Sequence, residues 1–390
     1  MIYIHEIEEW PELHWDAGKL APLLASVRHR QGHLLGQMKA QGFRQRAEAG
    51  LANLTSEIVK SSAIEGEKLD AVQVRSSIAR HLGMDIGGLP PAARHIDGIV
   101  EMMLDATGRY DEPLTEKRLF GWHAALFPTG RSGMRDITVG AWRTGPMYVV
   151  SGGIGGEKIH YEAPAAGCVP DEMTDFLSWF NSESGMDPVL KAALAHFRFV
   201  TIHPFDDGNG RIGRAIAELA LARSDQSAER FYSMSAQIEA ERKAYYAALE
   251  FSQKGTLDIT RWMEWFLECL GRTIDRAEAT LAGVLKKARI WEKVNEGSVN
   301  DRQRIVINRL LDGFEGNLNT SKYAKLAKCS SDTALRDINE LLERGILEKN
   351  PAGGRSTSYR LADPAIFNHA GPAARDVRDV AGPDQARLGG

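Results

Sequence analysis

Cysteine is scarce in this 390-residue chain: Cys168, Cys269 and Cys329 stand far apart, and no CxxC pair occurs. An odd, scattered count argues against a disulfide framework or a zinc site and fits a reducing compartment. Long apolar runs are missing too; none approaches the roughly 18 residues a membrane-spanning helix needs. Neither sign of charge prevails, since 48 Lys and Arg against 52 Asp and Glu leave −4. That balance excludes a histone-like or polybasic protein, though not a local basic face. Residues Met1 to Glu9 carry acids where a signal peptide carries a basic and then an apolar segment. No repeat of about 20–50 residues is visible, which argues against a solenoid or propeller. What the chain does have is 43% hydrophobic and 26% charged residues, enough to bury a sizeable core. Its length suggests two or three domains of roughly 100–200 residues. The expectation is a cytoplasmic protein with no membrane partner.

Most of the chain reads as helix, so the expected class is mostly α. Leu20, Leu23, Leu24 and Val27 share a helical face within 18–38, preceded by an aromatic turn, Trp10 to Asp16, expected to lie against it. A second run, Leu51 to Glu65, stops at Gly66. Helical spacing continues over 70–82, 91–108, 115–126, 171–181, 188–201, 209–222, 235–252 and 258–293, with Asp187 and Pro188 as N-cap and first residue of one of them. Between Thr138 and Glu162 the texture changes. Two short β-prone runs, Met147 to Val150 and Lys158 to Tyr161, flank a glycine-crowded turn and predict a hairpin flap. From residue 300 to 362 three helices (301–311, 320–328, 331–344) and two short runs near 346–347 and 358–361 resemble a winged helix-turn-helix domain. The expected division is therefore an N-terminal helical module (1–48), a central domain (49–295) with its flap at 143–163, the winged helix (300–362) and a disordered tail (363–390).

The chemistry is concentrated in His203-Pro204-Phe205-Asp206-Asp207-Gly208-Asn209-Gly210-Arg211-Ile212-Gly213-Arg214, set between two apolar helical segments. Such a loop lets backbone N–H groups converge at a helix N-terminus, whose partial positive charge makes an anion site. Arg211 and Arg214 are three apart, on one face, and can reach an extended polyphosphate. Asp207 supplies a hard oxygen for Mg²⁺. His203 is the group able to take a proton near neutral pH. Taken singly, a His before Pro is ordinarily a helix end, Asp-Gly-Asn-Gly a turn, and an Arg pair a solvated face. Together within twelve residues they describe nucleotidyl or phosphoryl transfer.

The same stretch matches the motif HPFx[D/E]GNGRxxR, with Asp206 at the free position, and the chain thereby resembles the Fic family over most of residues 50–290. The resemblance implies a helical core with a hairpin flap, and transfer of AMP from ATP to a Ser, Thr or Tyr hydroxyl of a target protein. It implies that His203 is the general base and that Asp207 holds Mg²⁺. Gly208, Asn209 and Gly210 would line the hole for the α-phosphate, with Ile212 and Gly213 beside it, and Arg211 and Arg214 would contact the outer phosphates. The kinase subgroup of this family lacks the final Arg; its presence here favours AMP transfer over phosphate transfer. Tyr245, Tyr246 and Gln253 sit where members enclose adenosine, the alternative being that the tyrosines are simply half-buried helix residues. Tyr148, Val149, Val150 and Ser151 are expected to pair with a target backbone by strand addition and to touch the nucleotide.

Ser61-Ser62-Ala63-Ile64-Glu65-Gly66 fits the family's inhibitory pattern [S/T]xxxE[G/N], and Ser61 and Glu65 share a helix face. By resemblance, Glu65 pairs with Arg214 and denies it to the γ-phosphate, giving an inhibitory helix at 51–66. The same Glu leaves a second activity open, AMP removal. The resemblance also raises a homodimer. A competing class is a nucleotide-sensing DNA-binding regulator acting through the winged helix. Residues 301–360 hold 11 Lys and Arg against 8 Asp and Glu, only +3. The candidate recognition helix carries Arg336 and Asn339 but also Asp332, Asp337, Glu340 and Glu343, which favours protein docking over DNA.

Overall fold

The computed structural model describes residues 2–84, 91–151, 158–183, 185–311, 314, 316–351 and 357–362. The glycine-rich tip of the flap, most of the expected wing turn and the tail at 363–390 lie outside the described residues. Two compact units divide the chain, Met1–Ala279 and Thr280–Gly390.

In the first unit, Asp16 caps α1 (Ala17–Lys39) by accepting from the Lys19 amide. Helix α2 (Phe43–Ile64) ends at Glu65, and Gly66 takes the left-handed turn that stops it. It starts eight residues before the apolar pattern predicts. Then come α3 (Ala71–His81), α4 (Arg94–Gly108) and α5 (Glu116–Leu126). Strands β1 (Arg131–Ser132) and β2 (Arg135–Asp136) form a small antiparallel pair that periodicity does not reveal. The flap follows as β3 (Tyr148–Ser151) against β4 (Lys158–Glu162), with Tyr148 opposite Glu162 and a register shift after Val149. Helices α6 (Val169–Asn181), α7 (Pro188–Ile202) and α8 (Asn209–Asp225) come next. The expected single helix over 235–252 is two, α9 (Met234–Ala240) and α10 (Arg242–Ser252), because Glu241 leaves helical geometry.

Helices α7 and α8 are the centre of this unit. Val189, Ala193, Phe197, Phe199 and Ile202 of α7 and Ile212, Ala215, Ile216, Leu219 and Leu221 of α8 have no exposed surface. The loop between them is thus held from both sides by a rigid core, the setting a precise site requires. Trp10, in the aromatic turn before α1, donates its indole N–H to Glu172 of α6 at 2.9 Å, the acceptor that a part-buried indole needs.

Helix α11 (Thr260–Asn295) runs past the division, which therefore falls some twenty residues before the boundary expected near 300. The reason is packing: Ile290 and Val294 belong to the second unit's core with Val306, Ile307, Tyr323, Ile338 and Leu341. That unit continues with α12 (Asp301–Leu311), α13 (Thr320–Ala327) and α14 (Ser331–Glu343), then an antiparallel pair, β5 (Leu347–Lys349) and β6 (Tyr359–Leu361). Asp337 turns inward. It is 4% exposed and binds Arg302 at 2.9 Å, with Asn300 and the Tyr323 hydroxyl beside it.

Candidate functional site

The site begins where α7 ends. His203 takes a left-handed conformation, φ 52, which breaks the helix and turns the chain into the loop. Its Nδ1 lies 2.9 Å from the Val200 carbonyl, so Nδ1 carries the proton. Nε2 is left as a lone-pair nitrogen without a protein partner among the described residues. Burial lowers the pKa of the ring; the Val200 bond raises it and nearby Arg143 lowers it further. A neutral imidazole is the form a proton acceptor needs.

Arg143, which no sequence signal singles out, braces this turn. Only 2% exposed, it donates to the carbonyls of His203 at 2.8 Å, Gly145 at 2.9 Å and Pro164 at 2.5 Å, while its amide donates to Pro204. It ties the loop between α7 and α8 to the segments on either side of the flap. Tyr161 of β4 adds a second tie, donating to the Thr201 carbonyl at 2.9 Å.

The loop then delivers the start of α8. Gly208 precedes the helix with φ 81, and a Cβ there would sit 2.9 Å from the Phe127 ring, so only glycine fits. Asn209 does not aim its side chain at a ligand. Its Oδ1 accepts from the Phe205 amide at 2.9 Å and its Nδ2 donates to the Phe205 carbonyl at 2.8 Å, closing the loop. What Asn209 and Gly210 offer an anion is backbone N–H. Ile212 is fully buried, and Gly213 lies against Val200, so both serve the packing of α8 on α7.

Asp207 accepts from its neighbour's amide at Gly208, 2.5 Å, and from the Ser132 hydroxyl of β1. His123 holds the Asp207 carbonyl, 3.2 Å from its Nε2, and accepts at Nδ1 from Gly140. It stacks on Phe205 with ring centres 4.2 Å apart, and burial pushes its pKa down to about 4. A single oriented carboxylate beside an anion site fits Mg²⁺ that takes its remaining ligands from phosphate and water. No group of three or more acidic, His or Cys ligands occurs among the described residues.

Both motif arginines are occupied. Arg214, 2% exposed, donates Nε to the Ser61 hydroxyl and Nη2 to the Ser61 carbonyl, each at 2.8 Å, and its Nη1 lies 2.9 Å from Glu65 Oε1. Burial opposes its charge, but Glu65 beside it prevails and holds its pKa raised. Glu65 Oε1 also sits 2.1 Å from where a Cβ on Gly210 would be. The carboxylate therefore lies against the α8 N-terminus itself, where an anion would bind. Arg211 donates Nη1 to Glu67 at 2.9 Å and lies over the Phe127 ring at 5.0 Å. Glu67 is absent from the sequence-based set: standing beyond the helix-stopping Gly66, it has no periodicity to mark it.

The tyrosine pair divides. Tyr245 is a core residue, its hydroxyl 2.9 Å from His196 and its ring against Trp262 and Trp265, with burial raising its pKa. Tyr246 is 37% exposed and lies under Arg242 at 5.6 Å. Both stand near Arg214 and Glu65, whose charges act on them. Gln253 is buried and donates to Thr201 Oγ1 of α7 at 3.1 Å. In the flap, Tyr148 and Val150 are exposed, and β3 pairs with β4 alone among the described residues.

Residues 113–221 match the Fic/DOC family and residues 3–84 a domain of unknown function, DUF4172. Relatives named protein adenylyltransferase Fic include that of Drosophila willistoni, 28% identical over 229 residues, covering 56% of this chain and 40% of that protein. That of Culex quinquefasciatus is 28% identical over 244 residues, 58% of this chain and 43% of the relative. The chain thus matches less than half the length of these relatives. Among solved structures, a Fic family protein from Desulfovibrio desulfuricans superposes with a TM-score of 0.54 at 22% identity, covering 90% of this chain and 98% of that one. A Fic domain containing signaling protein from Bacteroides thetaiotaomicron gives 0.50 at 19% identity, over 65% and 96%. The loop between α7 and α8, the family match over residues 113–221 and the shared fold agree on a Fic-like domain in this part of the chain.

Proposed function

We propose that this chain transfers AMP from ATP to a hydroxyl side chain of a target protein, and that the segment Ser61–Glu67 holds the site inhibited. The observation that carries the first part is His203 with a neutral ring, Nδ1 committed to Val200 and Nε2 open, beside the N-terminus of α8. The relatives' name, protein adenylyltransferase Fic, supports the same reading. In the proposed reaction the target hydroxyl gives its proton to His203 Nε2 as its oxygen bonds to the α-phosphorus, and the bond to pyrophosphate breaks. Backbone N–H groups of α8 face the charge that develops on the phosphate, fixed in advance by Asn209 and Arg143. Arg211 and Arg214 would hold the outer phosphates. Asp207 would hold Mg²⁺, which when bound neutralises phosphate charge. The exposed β3 edge supports docking of a target strand.

The inhibited state follows from charge. Glu65 against Gly210 and Arg214, and Glu67 on Arg211, occupy with protein carboxylates the positions phosphates would take. The test is α-labelled ATP with Mg²⁺ on wild type, Glu65→Gly and Glu65→Gly/His203→Ala. Label on protein with Glu65→Gly alone is expected; equal label with the double variant sinks the assignment of His203. A DNA-binding role for the second unit is the weaker reading, because the exposed face of α14 sets Asp332, Glu340 and Glu343 against Arg336. A salt-dependent shift with duplex DNA would reverse that order.

A further inference from the structure

Beside Arg214 a small cavity of about 10 Å³ is lined by Glu57, His196, Arg214, Glu218, Ser235 and Trp265 among others. Three polar atoms belonging to its lining residues are buried and incompletely bonded. Glu218 Oε1 and Trp265 Nε1 have no hydrogen-bond partner among the described residues. Arg214 Nη1 has its ion pair with Glu65 but no hydrogen bond of proper geometry. Glu218 and Trp265 are 2% and 9% exposed, so bulk solvent does not serve them. Buried polar groups are rarely left unpaired, and a cavity of this size holds about one water when two to four polar groups face it.

We propose that one ordered water fills this cavity, accepting from Trp265 Nε1 and Arg214 Nη1 and donating to Glu218 Oε1, and that Glu218 is thereby a positioning residue for Arg214. The placement supports the role. Glu218 stands one turn after Arg214 on α8, and its other oxygen is fixed at 2.9 Å by Arg230 Nε. Arg230 in turn reaches Asp225 and Tyr232, so the carboxylate cannot swing away. When a nucleotide displaces Glu65, Arg214 loses one ligand while Ser61 and the water keep it aimed. The hydrogen-bond inventory balances: the water uses one proton toward Glu218 and both lone pairs toward the two donors.

This inference rests on the reading of Arg214 as a ligand of the outer phosphate. The experiment compares ATP and ADP affinity by calorimetry in the Glu65→Gly background, alone and with Trp265→Phe, Glu218→Leu or Glu218→Gln. Trp265→Phe removes the donor and keeps the ring, so it guards against a variant that fails to fold. The preference for ATP over ADP is expected to fall at least ~5-fold in Trp265→Phe and Glu218→Leu with ADP affinity unchanged, and to recover in part in Glu218→Gln. A purely structural role would lower the melting temperature and weaken both nucleotides alike. An unchanged preference in folded Trp265→Phe, or a high-resolution crystal structure with the cavity dry, overturns the proposal. Absence of any nucleotide binding by Glu65→Gly itself would instead refute the nucleotide reading, and the positioning role with it.

Discussion

Releasing Glu65 from Arg214 should raise AMP transfer by a calculable factor. Arg214 Nη1 and Glu65 Oε1 are 2.9 Å apart, and the guanidinium is 2% exposed. Unit charges centred about 4 Å apart attract by about 4 kcal/mol at an effective dielectric near 20. The Glu65 side chain is 34% exposed, so solvent screening leaves about half, ~2 kcal/mol. That energy favours the closed arrangement and must be overcome before a γ-phosphate reaches Arg214 in the productive pose. Removing it corresponds to a rate increase of about 30-fold. Glu65→Gly makes the change with little cost to the fold, since Glu65 follows the last residue of α2. Initial rates of α-labelled ATP incorporation at fixed enzyme and nucleotide measure it. A change of less than about twofold, with ATP binding intact, would show that the ion pair does not limit turnover and refute the electrostatic account.

Glu67→Ala added to Glu65→Gly frees Arg211 as well and should lower KM for ATP by about threefold, the worth of a part-buried ion pair whose carboxylate is solvent-screened; an unchanged KM would make Glu67 a bystander. His203→Ala in the Glu65→Gly background should cost at least ~100-fold in kcat with nucleotide affinity retained, and residual activity near the parent's would assign the proton elsewhere. Asn209→Ala removes both bonds to the Phe205 backbone and should destabilise by about 2 kcal/mol, read in urea melts at pH 7.5. Acid should also destabilise the fold through His123. Its folded-state pKa is about 4 against roughly 6.5 unfolded, so the unfolded chain binds the proton first and stability is lost as pH falls below 6.5. The expected loss is about 2 kcal/mol by pH 5, visible as a lower melting temperature; a His123→Gln variant with the same pH dependence would contradict it.

The parts of this molecule legible in the sequence are those whose partners lie close together in the chain. The His203–Arg214 loop carries its helix end, glycines and arginines within twelve residues, and both flanking helices follow from apolar spacing. Ser61 and Glu65 are legible because a helix puts residues four apart on one face. Arg143 was missed because its work is done on carbonyls, and any residue type supplies a carbonyl. Its partners His203 and Pro164 are also remote in sequence. The break at Glu241 was missed because apolar spacing continues through it. Asp337 read as an exposed acid on a recognition helix, since its partner Arg302 stands 35 residues away on α12. Asn209 was placed in the anion site by its neighbours, whereas its side chain closes the loop.

The central claim is that the α-phosphate, and not the γ-phosphate, is transferred with His203 as the base. Parallel incubation of Glu65→Gly and Glu65→Gly/His203→Ala with ATP labelled at either the α- or the γ-position tests it most directly. Protein-bound label from α-labelled ATP alone, lost when His203 is replaced, is the predicted result. Protein-bound label from γ-labelled ATP would make the reaction phosphate transfer and contradict the account.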